Sequence, residues 1–253
     1  MIKNFLIRNS VALFNKKLRK QPLQPYPLTF WENRRAQLSK YAVLPDILRP
    51  SMRTLKTAGD AIPIPELRGF FDGRVLGEWT LDADSMLFLW QRLQVEKPKV
   101  IVECGSGVST LLFAKYLSLY QPDGILLSLE QSAEETKVAQ DRLEKHGLAR
   151  FVKMYHAPMI SAERGYNLSG VETWPGMQRF DWILVDGPAG TDLVRYYTIE
   201  DLQKLANPGA RWFLDDSFRD NEIEVLKKWA ALPGVQVEGI YPIGKGLSTG
   251  TIN

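Results

Sequence analysis

The sequence predicts an α/β fold: a doubly wound, mostly parallel sheet of seven strands with a helical cap at the N-terminus. From about residue 76 onward, short apolar runs typical of buried strands alternate with longer segments of helical pattern. This alternation is typical of βαβ units, whose strands are parallel. Four of the first five strand candidates end in an acidic residue. Because ligands of such sheets bind at the carboxyl ends of the strands, a functional site is expected at this edge.

Each strand candidate is a short run rich in β-branched, leucine or aromatic residues. The seven candidates are, in order, residues 100–103, 124–130, 151–155, 180–185, 211–214, 235–241 and 247–252. The helix candidates have apolar residues at helical spacing and are residues 81–93, 110–119, 133–146, 192–205 and 221–232. Gly147 ends one helix, and a turn at 207–209 is expected before the fifth strand.

The composition is that of a globular protein. Of the 253 residues, 45% are hydrophobic and 24% are charged, which is ordinary for a folded chain. The single cysteine, Cys104, excludes an intrachain disulfide, and two histidines argue against a multi-histidine zinc centre. No apolar run approaches the roughly 18 residues that a membrane span needs. We therefore expect a soluble, cytoplasmic protein.

The charge is distributed unevenly along the chain. Residues 1–56 hold 12 Lys or Arg and 2 Asp or Glu, whereas the remainder holds 20 basic and 27 acidic residues. We therefore divide the chain into a basic N-terminal arm and cap, residues 1–75, and a main domain, residues 76–253. A basic arm can meet an anionic partner, although a solvated helical face explains the same charges.

Residues 1–20 predict an amphipathic helix. Its apolar residues at helical spacing are Ile7, Val11, Phe14 and Leu18. Such a helix can make peripheral contact with a membrane surface. Packing on the body, or on a second copy of the chain in a homodimer, is an equally good expectation.

The most informative stretch follows the first strand candidate. Glu103 ends that strand, and Gly105-Ser106-Gly107 comes after one further residue. Glycines permit positive φ angles and a close approach of the backbone to a ligand. Ser109 and Thr110 then open an apolar helix, whose first N–H groups are unpaired and can bind a polar group. A strand, a glycine turn and a helix start in this order indicate a nucleotide-like cofactor.

This stretch resembles motif I of the class I S-adenosylmethionine-dependent methyltransferases, and the resemblance covers about residues 76–253. It implies a Rossmann-like sheet and S-adenosyl-L-methionine as the cofactor. The positions that match the family's cofactor site are Glu103, Gly105, Ser106, Gly107, Ser109, Thr110, Glu130, Gln131, Ala157 and Asp186.

The resemblance also implies a role for each part of the site. The turn from Glu103 to Gly107 surrounds the methionine part of the cofactor, and Glu130 accepts hydrogen bonds from the ribose hydroxyls. Gln131 and the segment 156–158 lie on the adenine side. Asp186, which follows the fourth strand candidate, lies next to the site of methyl transfer.

A nicotinamide dinucleotide is disfavoured. Its fingerprint needs a third glycine, and this chain has Thr110 at that position. A side chain there hinders helix–strand packing and approach to a pyrophosphate. Glu103 also places negative charge near that group, which suits an amino acid with a sulfonium centre better.

Three acids follow the fourth and fifth strand candidates. Asp186, Asp215 and Asp216 would repel one another unless they were paired, protonated or bound to a cation. Carboxylates of this kind suit Mg²⁺ or another divalent cation. The set resembles the metal site of the catechol O-methyltransferase-like branch, which has an acid after strand four and an Asp-Asn pair after strand five. This chain departs from that pattern, because Asp216 stands at the Asn position.

The alternative to a metal site is neutralisation of these acids by the protein itself. Arg195, Arg211 or Arg219 are the candidate partners, and Asp215 or Asp216 could instead cap the following helix. Both readings remain open from the sequence.

The expected reaction is O-methylation of a small-molecule or saccharide hydroxyl. Asp186, Asp215 and His156 are the candidate catalytic residues, and His156 can act as a base near neutral pH or can lie at the adenine edge. No nucleic-acid partner is expected, because residues 186–189 lack the aromatic residue found after strand four in methyltransferases that act on nucleic-acid nitrogen. The competing functions are methylation of a lipid-linked or macromolecular acceptor and binding of the cofactor without turnover.

Overall fold

The computed structural model describes residues 23–39, 56–71, 73–77, 79–161, 164–171, 179–190 and 193–253. The helices are α1 Leu28–Ser39, α2 Ala83–Glu96, α3 Val108–Tyr120, α4 Ala133–Lys145, α5 Tyr196–Leu202 and α6 Asp220–Trp229. The first strands are β1 Thr57–Ala58, β2 Val75–Leu76, β3 Val100–Cys104, β4 Ile125–Glu130, β5 Val152–His156 and β6 Met159–Ser161. The remaining strands are β7 Gly165–Tyr166, β8 Phe180–Val185, β9 Ala206–Leu214, β10 Val235–Tyr241 and β11 Leu247–Ile252.

Seven strands form the central sheet, in the order β10-β11-β9-β8-β3-β4-β5. The pairs from β9 to β5 are parallel, and β11 is antiparallel to both β9 and β10. The predicted doubly wound, mostly parallel seven-stranded sheet is therefore confirmed. The strand order reverses at β3, so the carboxyl ends of β3, β4, β8 and β9 surround the crevice in which ligands of such sheets bind.

The core lies on both faces of the sheet, because alternate residues of each buried strand point to opposite faces. One face packs against α1, α5 and α6 and includes the buried side chains of Trp212 and Trp229. The other face packs against α2 and α3 and includes Ile101 and Leu126. Cys104 is fully buried, and burial raises the pKa of its thiol, so it is a small apolar core residue.

The N-terminal cap is part of this core. Trp31 on α1 is fully buried, and its indole N–H donates to the Ile240 carbonyl at 3.3 Å. Tyr26 forms a backbone bridge to the same residue of β10. Strands β1 and β2 pair across the expected boundary at residue 75/76. The described residues of the cap, 23–39, 56–71 and 73–75, thus pack with the main domain. The predicted amphipathic helix at 1–20 lies outside the described residues and stays a prediction.

Several element boundaries differ from the sequence prediction, and two differences are the largest. The fifth strand of the prediction begins at Ala206 instead of residue 211, because the expected turn 207–209 lies inside β9. The pairing register with β8 shifts there, between Phe180 and Trp182, and Gly209 has a positive φ. The turn-forming residues therefore make an irregularity in the strand and do not end it. The helix expected at 192–205 is shorter, with an α-helix at Tyr196–Leu202 followed by one 3₁₀ turn. Among the described residues, none of the helices has the length and apolar character that crossing a membrane demands.

Candidate active site

The loops after β3 and β8 approach each other through two glycines. Gly105 has φ +93°, and a Cβ atom on it would lie 3.2 Å from the backbone of Asp186 and Gly187. A Cβ atom on Gly187 would collide with the hydroxyl of Tyr166. Only residues without side chains fit here, so the close contact of the two loops explains why the turn needs glycine at 105.

Glu130, at the carboxyl end of β4, holds the glycine turn. One of its carboxylate oxygens accepts hydrogen bonds from the backbone N–H of Ser106 at 2.8 Å and from its hydroxyl at 2.9 Å. The other oxygen accepts from the Ser132 N–H at 2.9 Å. An ionised carboxylate has about four acceptor positions, and three of them are used here, so Glu130 keeps about one for a further donor.

A cavity of about 430 Å³ lies over this turn, which is within the size range of small-molecule sites. Most of the residues predicted to bind the cofactor line it together. They are Gly105, Ser106, Gly107, Ser109, Glu130, Gln131 and Asp186. The structure therefore brings seven of the predicted positions to one cavity at the carboxyl ends of β3, β4 and β8.

Glu103 and Thr110 do not line this cavity, which corrects the expectation that both contact the cofactor. Glu103 is fully buried, and one of its oxygens accepts hydrogen bonds from Thr110 at 2.6 Å and from Ser128 at 2.7 Å. The Thr110 hydroxyl in turn accepts from the Gly107 N–H at 2.9 Å. Burial raises the pKa of Glu103 to about 7. Both residues therefore support the turn from beneath.

His156 lies at the edge of the sheet, on the outermost strand β5. Two strands separate β5 from β8, so with strands about 4.8 Å apart the end of β5 lies roughly 14 Å from the end of β8. The His156 ring is exposed and is 3.2 Å from the Gln131 carbonyl oxygen. This position contradicts the prediction of a catalytic base beside Asp186, and the alternative prediction, a place at the adenine edge, stays a prediction. Ala157 is fully buried, and its N–H donates to the Glu130 carbonyl, so it lies behind the cavity wall.

Tyr166 is a cavity residue that the sequence indicates only as one of several aromatic residues near the rim of the site. It lies on β7, its side chain is almost fully buried, and it lines the first cavity. Its hydroxyl has no hydrogen-bond partner among the described residues. Because an unpaired buried hydroxyl is costly, this group indicates that a polar ligand atom completes the site.

A second cavity of about 590 Å³ adjoins the first. Trp79, Asp186 and Ala189 line both cavities, so they form the boundary between the two. Trp79 is 92% exposed, which is unusual for so large an apolar side chain. Lys245 and Asp216 lie in the wall of the second cavity. Two cavities that share Asp186 can hold two ligands with their reactive ends against each other.

Asp186, Asp215 and Asp216 form one cluster, as predicted. Each offers a carboxylate oxygen, and these oxygens lie within 4.8 Å of one another. Asp216 has φ +59°, a left-handed conformation that Asp and Asn tolerate better than other non-glycine residues. Asp215 is fully buried and is not part of either cavity wall, which argues against its predicted role in direct catalysis.

Three cations of the chain lie against this cluster. The Lys245 Nζ is 2.8 Å from an Asp215 oxygen and 3.2 Å from an Asp216 oxygen. Arg219 is 2.6 Å from Asp216. Arg195 is 3.6 Å from the Asp186 carboxylate and donates to the backbone carbonyls of Asp186 at 3.0 Å and Asp215 at 3.3 Å. The acids are therefore paired within the protein.

The other parts of the neutralisation hypothesis do not hold. Arg211 pairs with Glu96 and Glu238 and takes no part in the cluster. The N-cap of α6 is Arg219, so neither Asp215 nor Asp216 caps this helix.

The cluster contains more carboxyl groups than cationic groups. Glu222 on α6 lies 3.5 Å from Arg195 and adds a fourth carboxylate to the three aspartates, against three cations. Burial and the charge of Asp215 raise the pKa of Asp186 to about 8. Burial also raises the pKa of Asp215, against the opposing effect of Lys245. Asp186, with 18% of its side chain exposed, is the member of the cluster that lines both cavities.

The three carboxylates suit a divalent metal, but the cations around them do not. Three carboxylates within ligand distance of one another are hard oxygen ligands of the right kind. The Lys245 ammonium, however, already lies between two of them, and Arg195 and Arg219 neutralise the same group. The residues present therefore do not fit a metal ion. The sequence gives no sign of this role for Lys245. It lies in the turn 244–246, about thirty positions after Asp215 and Asp216, and no local pattern predicts their contact.

The comparisons with known proteins agree with this geometry. Residues 102–217 match the model of a family described as a methyltransferase domain. An O-methyltransferase from Bacillus cereus in complex with SAH is 21% identical, with a TM-score of 0.53, covering 67% of this chain and 80% of that one. TomG, an O-methyltransferase from Streptomyces achromogenes in complex with SAM, is 20% identical, with a TM-score of 0.53, covering 70% and 83%. Among curated proteins no sequence relative is found.

The family match covers the residues of the candidate site. It extends from within β3 to just past β9 and so includes the glycine turn, Glu130, Asp186 and the acidic cluster. By this match, residues 102–217 form a methyltransferase domain. The fold of the chain is the one shared by the O-methyltransferases named above.

Proposed function

We propose that this protein transfers a methyl group from S-adenosyl-L-methionine to the hydroxyl of a small molecule or saccharide. The observation that carries the proposal is the position of Asp186, whose side chain belongs to the walls of both cavities. The first cavity contains the motif I turn and is the place for the cofactor. The second cavity then receives the acceptor, and the two ligands meet at Asp186.

The residues of the first cavity fit this cofactor. Glu130 lies in the cavity wall, where a ribose hydroxyl can donate to its remaining acceptor position, and the glycine turn leaves room for the backbone to approach the ligand. The start of α3 directs unpaired N–H groups toward the same space. Tyr166 offers a buried hydroxyl that needs a polar partner. When bound, the cofactor supplies an activated methyl group on a sulfonium centre.

The chain's own contribution is positioning, exclusion of water and proton transfer. Asp186 accepts the proton of the acceptor hydroxyl while the oxygen–carbon bond forms and the carbon–sulfur bond breaks, leaving S-adenosylhomocysteine as the other product. Arg195 fixes the loop that carries Asp186 by donating to its backbone carbonyl. Trp79, exposed at the boundary of both cavities, offers an apolar surface against which an acceptor ring can pack.

The test is a product screen. The protein is incubated with S-adenosyl-L-methionine and a panel of phenols, catechols and saccharides, with and without a chelator, and products are analysed by mass spectrometry. We expect an O-methylated product and a large loss of turnover in Asp186→Asn. Glu144→Gln, an exposed carboxylate on α4, is the matched control and should turn over normally. Methylation at nitrogen or carbon only, or full activity of Asp186→Asn, would contradict the proposal.

A further inference from the structure

We propose that the Lys245 ammonium fills the position that a divalent cation would take among Asp186, Asp215 and Asp216, so that the acceptor site works with a fixed protein cation and binds no divalent metal. This inference rests on the proposed function only for naming the second cavity as the acceptor site. The choice between lysine and metal depends on the geometry of the cluster alone.

The positive charge of Lys245 lies against two consecutive carboxylates. The Lys245 Nζ lies 2.8 Å from Asp215 and 3.2 Å from Asp216, so it faces both consecutive carboxylates at once. A divalent ion bridging these residues would need about 2.0–2.6 Å to the same oxygens. It would then lie beside the ammonium, and two like charges at that distance repel strongly in a buried site. Lysine and metal therefore exclude each other.

The packing of the β10–β11 turn keeps Lys245 in the cluster. Its side chain is 98% buried, and its flanking glycines have φ +50° and +89°. A Cβ atom on Gly244 would collide with Asp82, and one on Gly246 would lie 2.7 Å from the Phe218 ring. The Lys245 carbonyl accepts from the Phe218 N–H at 3.1 Å. The β10–β11 turn is thus seated against the protein and directs the lysine into the cluster.

Lys245 also places its positive charge at the wall of the proposed acceptor site. Lys245 and Asp186 both line the second cavity, and the ammonium acts electrostatically on the Asp186 carboxylate. A metal in this position would stabilise the acceptor oxygen as it loses its proton. The ammonium supplies positive charge at the same wall without an exchangeable ion. Arg195 and Arg219 also line this cavity and complete the neutralisation of the cluster.

The experiment measures Mn²⁺ binding to the full chain by the loss of the free Mn²⁺ signal in electron paramagnetic resonance. We expect the wild type to bind no Mn²⁺ at the cluster. Lys245→Met keeps the apolar length of the side chain and removes the charge, so it should bind one Mn²⁺ per chain at least about tenfold more tightly, given the strength of Coulomb interactions at contact distance. Asp216→Asn in addition to Lys245→Met should reverse this gain.

Lys137→Met, an exposed lysine on α4, is the matched control and should leave Mn²⁺ binding unchanged. Stoichiometric Mn²⁺ binding by the wild type that Asp216→Asn weakens would overturn the proposal, and so would a folded Lys245→Met that gains nothing. If Lys245→Met does not fold, Mn²⁺ binding by the wild type and by its Asp216→Asn variant still tests whether the cluster is a metal site. Binding of S-adenosylhomocysteine is measured on the same samples, so failure of the proposed function is recognised separately.

Discussion

Buried carboxylates at single positions control both the stability of the site and its chemistry. Glu103 is the clearest case, because it lies in the middle of the sheet with hydrogen bonds to Thr110 and Ser128 and has a pKa of about 7. In the unfolded chain a glutamate has a pKa near 4.5. The folded state therefore retains a proton between these two values, and stability falls as pH rises through this window.

Glu103→Gln should remove this dependence. Glutamine can still accept from Thr110 and Ser128 but cannot ionise, so the stability of the variant relative to wild type should increase from pH 5 to pH 8 by about 2–3 kcal/mol. Urea unfolding at the two pH values measures the difference. The exposed Glu144→Gln should show no such trend. A Glu103→Gln difference that is the same at both pH values would show that Glu103 is ionised in the fold.

At this scale the sequence predicts residues that follow strands, because the end of each strand is readable locally. Glu130 and Asp186 could be proposed for that reason, and both line the first cavity. The contact of Lys245 with the aspartates and the unpaired hydroxyl of Tyr166 could not be predicted, since both arise from the packing of distant parts of the chain. His156 was placed on the right strand, but its distance from Asp186 depends on the strand order, which local patterns do not determine.

At the scale of elements, the contact between the loops after β3 and β8 determines whether the cofactor cavity forms. Gly105→Ala adds a Cβ atom 3.2 Å from the Asp186 backbone at a φ of +93°. We expect it to destabilise the fold by about 1–3 kcal/mol, the scale of a strained backbone position, and to abolish binding of S-adenosylhomocysteine. Urea unfolding and calorimetry measure the two effects.

Gly73→Ala is the matched control for the backbone angle. Gly73 also has a positive φ, of +72°, but nothing lies within 4 Å of its Cβ position. Gly73→Ala should destabilise the fold only through backbone strain and should leave binding of S-adenosylhomocysteine unchanged. If Gly105→Ala binds S-adenosylhomocysteine as well as Gly73→Ala does, the loop contact does not shape the cavity.

Element prediction from the sequence succeeded where the pattern was strong. The closing strands β10 and β11 match their predicted bounds at both ends. The start of β9 was missed, because Pro208 and Gly209 read as a turn whereas pairing with β8 and β11 keeps the chain extended. Tertiary pairing here outweighs local turn preference.

At the scale of the whole molecule, the N-terminal cap belongs to the core. Trp31 is fully buried against Phe218 and β10, so Trp31→Ala should destabilise the protein by about 3–5 kcal/mol. Trp79→Ala removes the same side chain from a site that is 92% exposed and should change stability by less than about 0.5 kcal/mol. Urea unfolding of the two variants compares them. Equal stabilities would contradict the assignment of the cap to the core.

The sequence could not assign the cap, because α1 shows no strong amphipathic pattern and its single large anchor, Trp31, is recognisable only from its burial. The division at residue 75/76 was drawn where alternating helix and strand patterns begin, and β2 includes the residues on both sides of it. The fold of the main domain was predictable, since every βα unit carries its own pattern.

The most direct test of the central claim is calorimetric titration of S-adenosylhomocysteine into the full chain in the presence of a chelator. Binding of one ligand per chain is expected, with no comparable heat from NAD. Glu130→Ala should weaken this binding by about 1–3 kcal/mol, the scale for hydrogen bonds to a charged group, while Glu144→Ala should not. Absence of binding by the wild type, or equal affinity for NAD, would contradict the identification of the first cavity as the cofactor site.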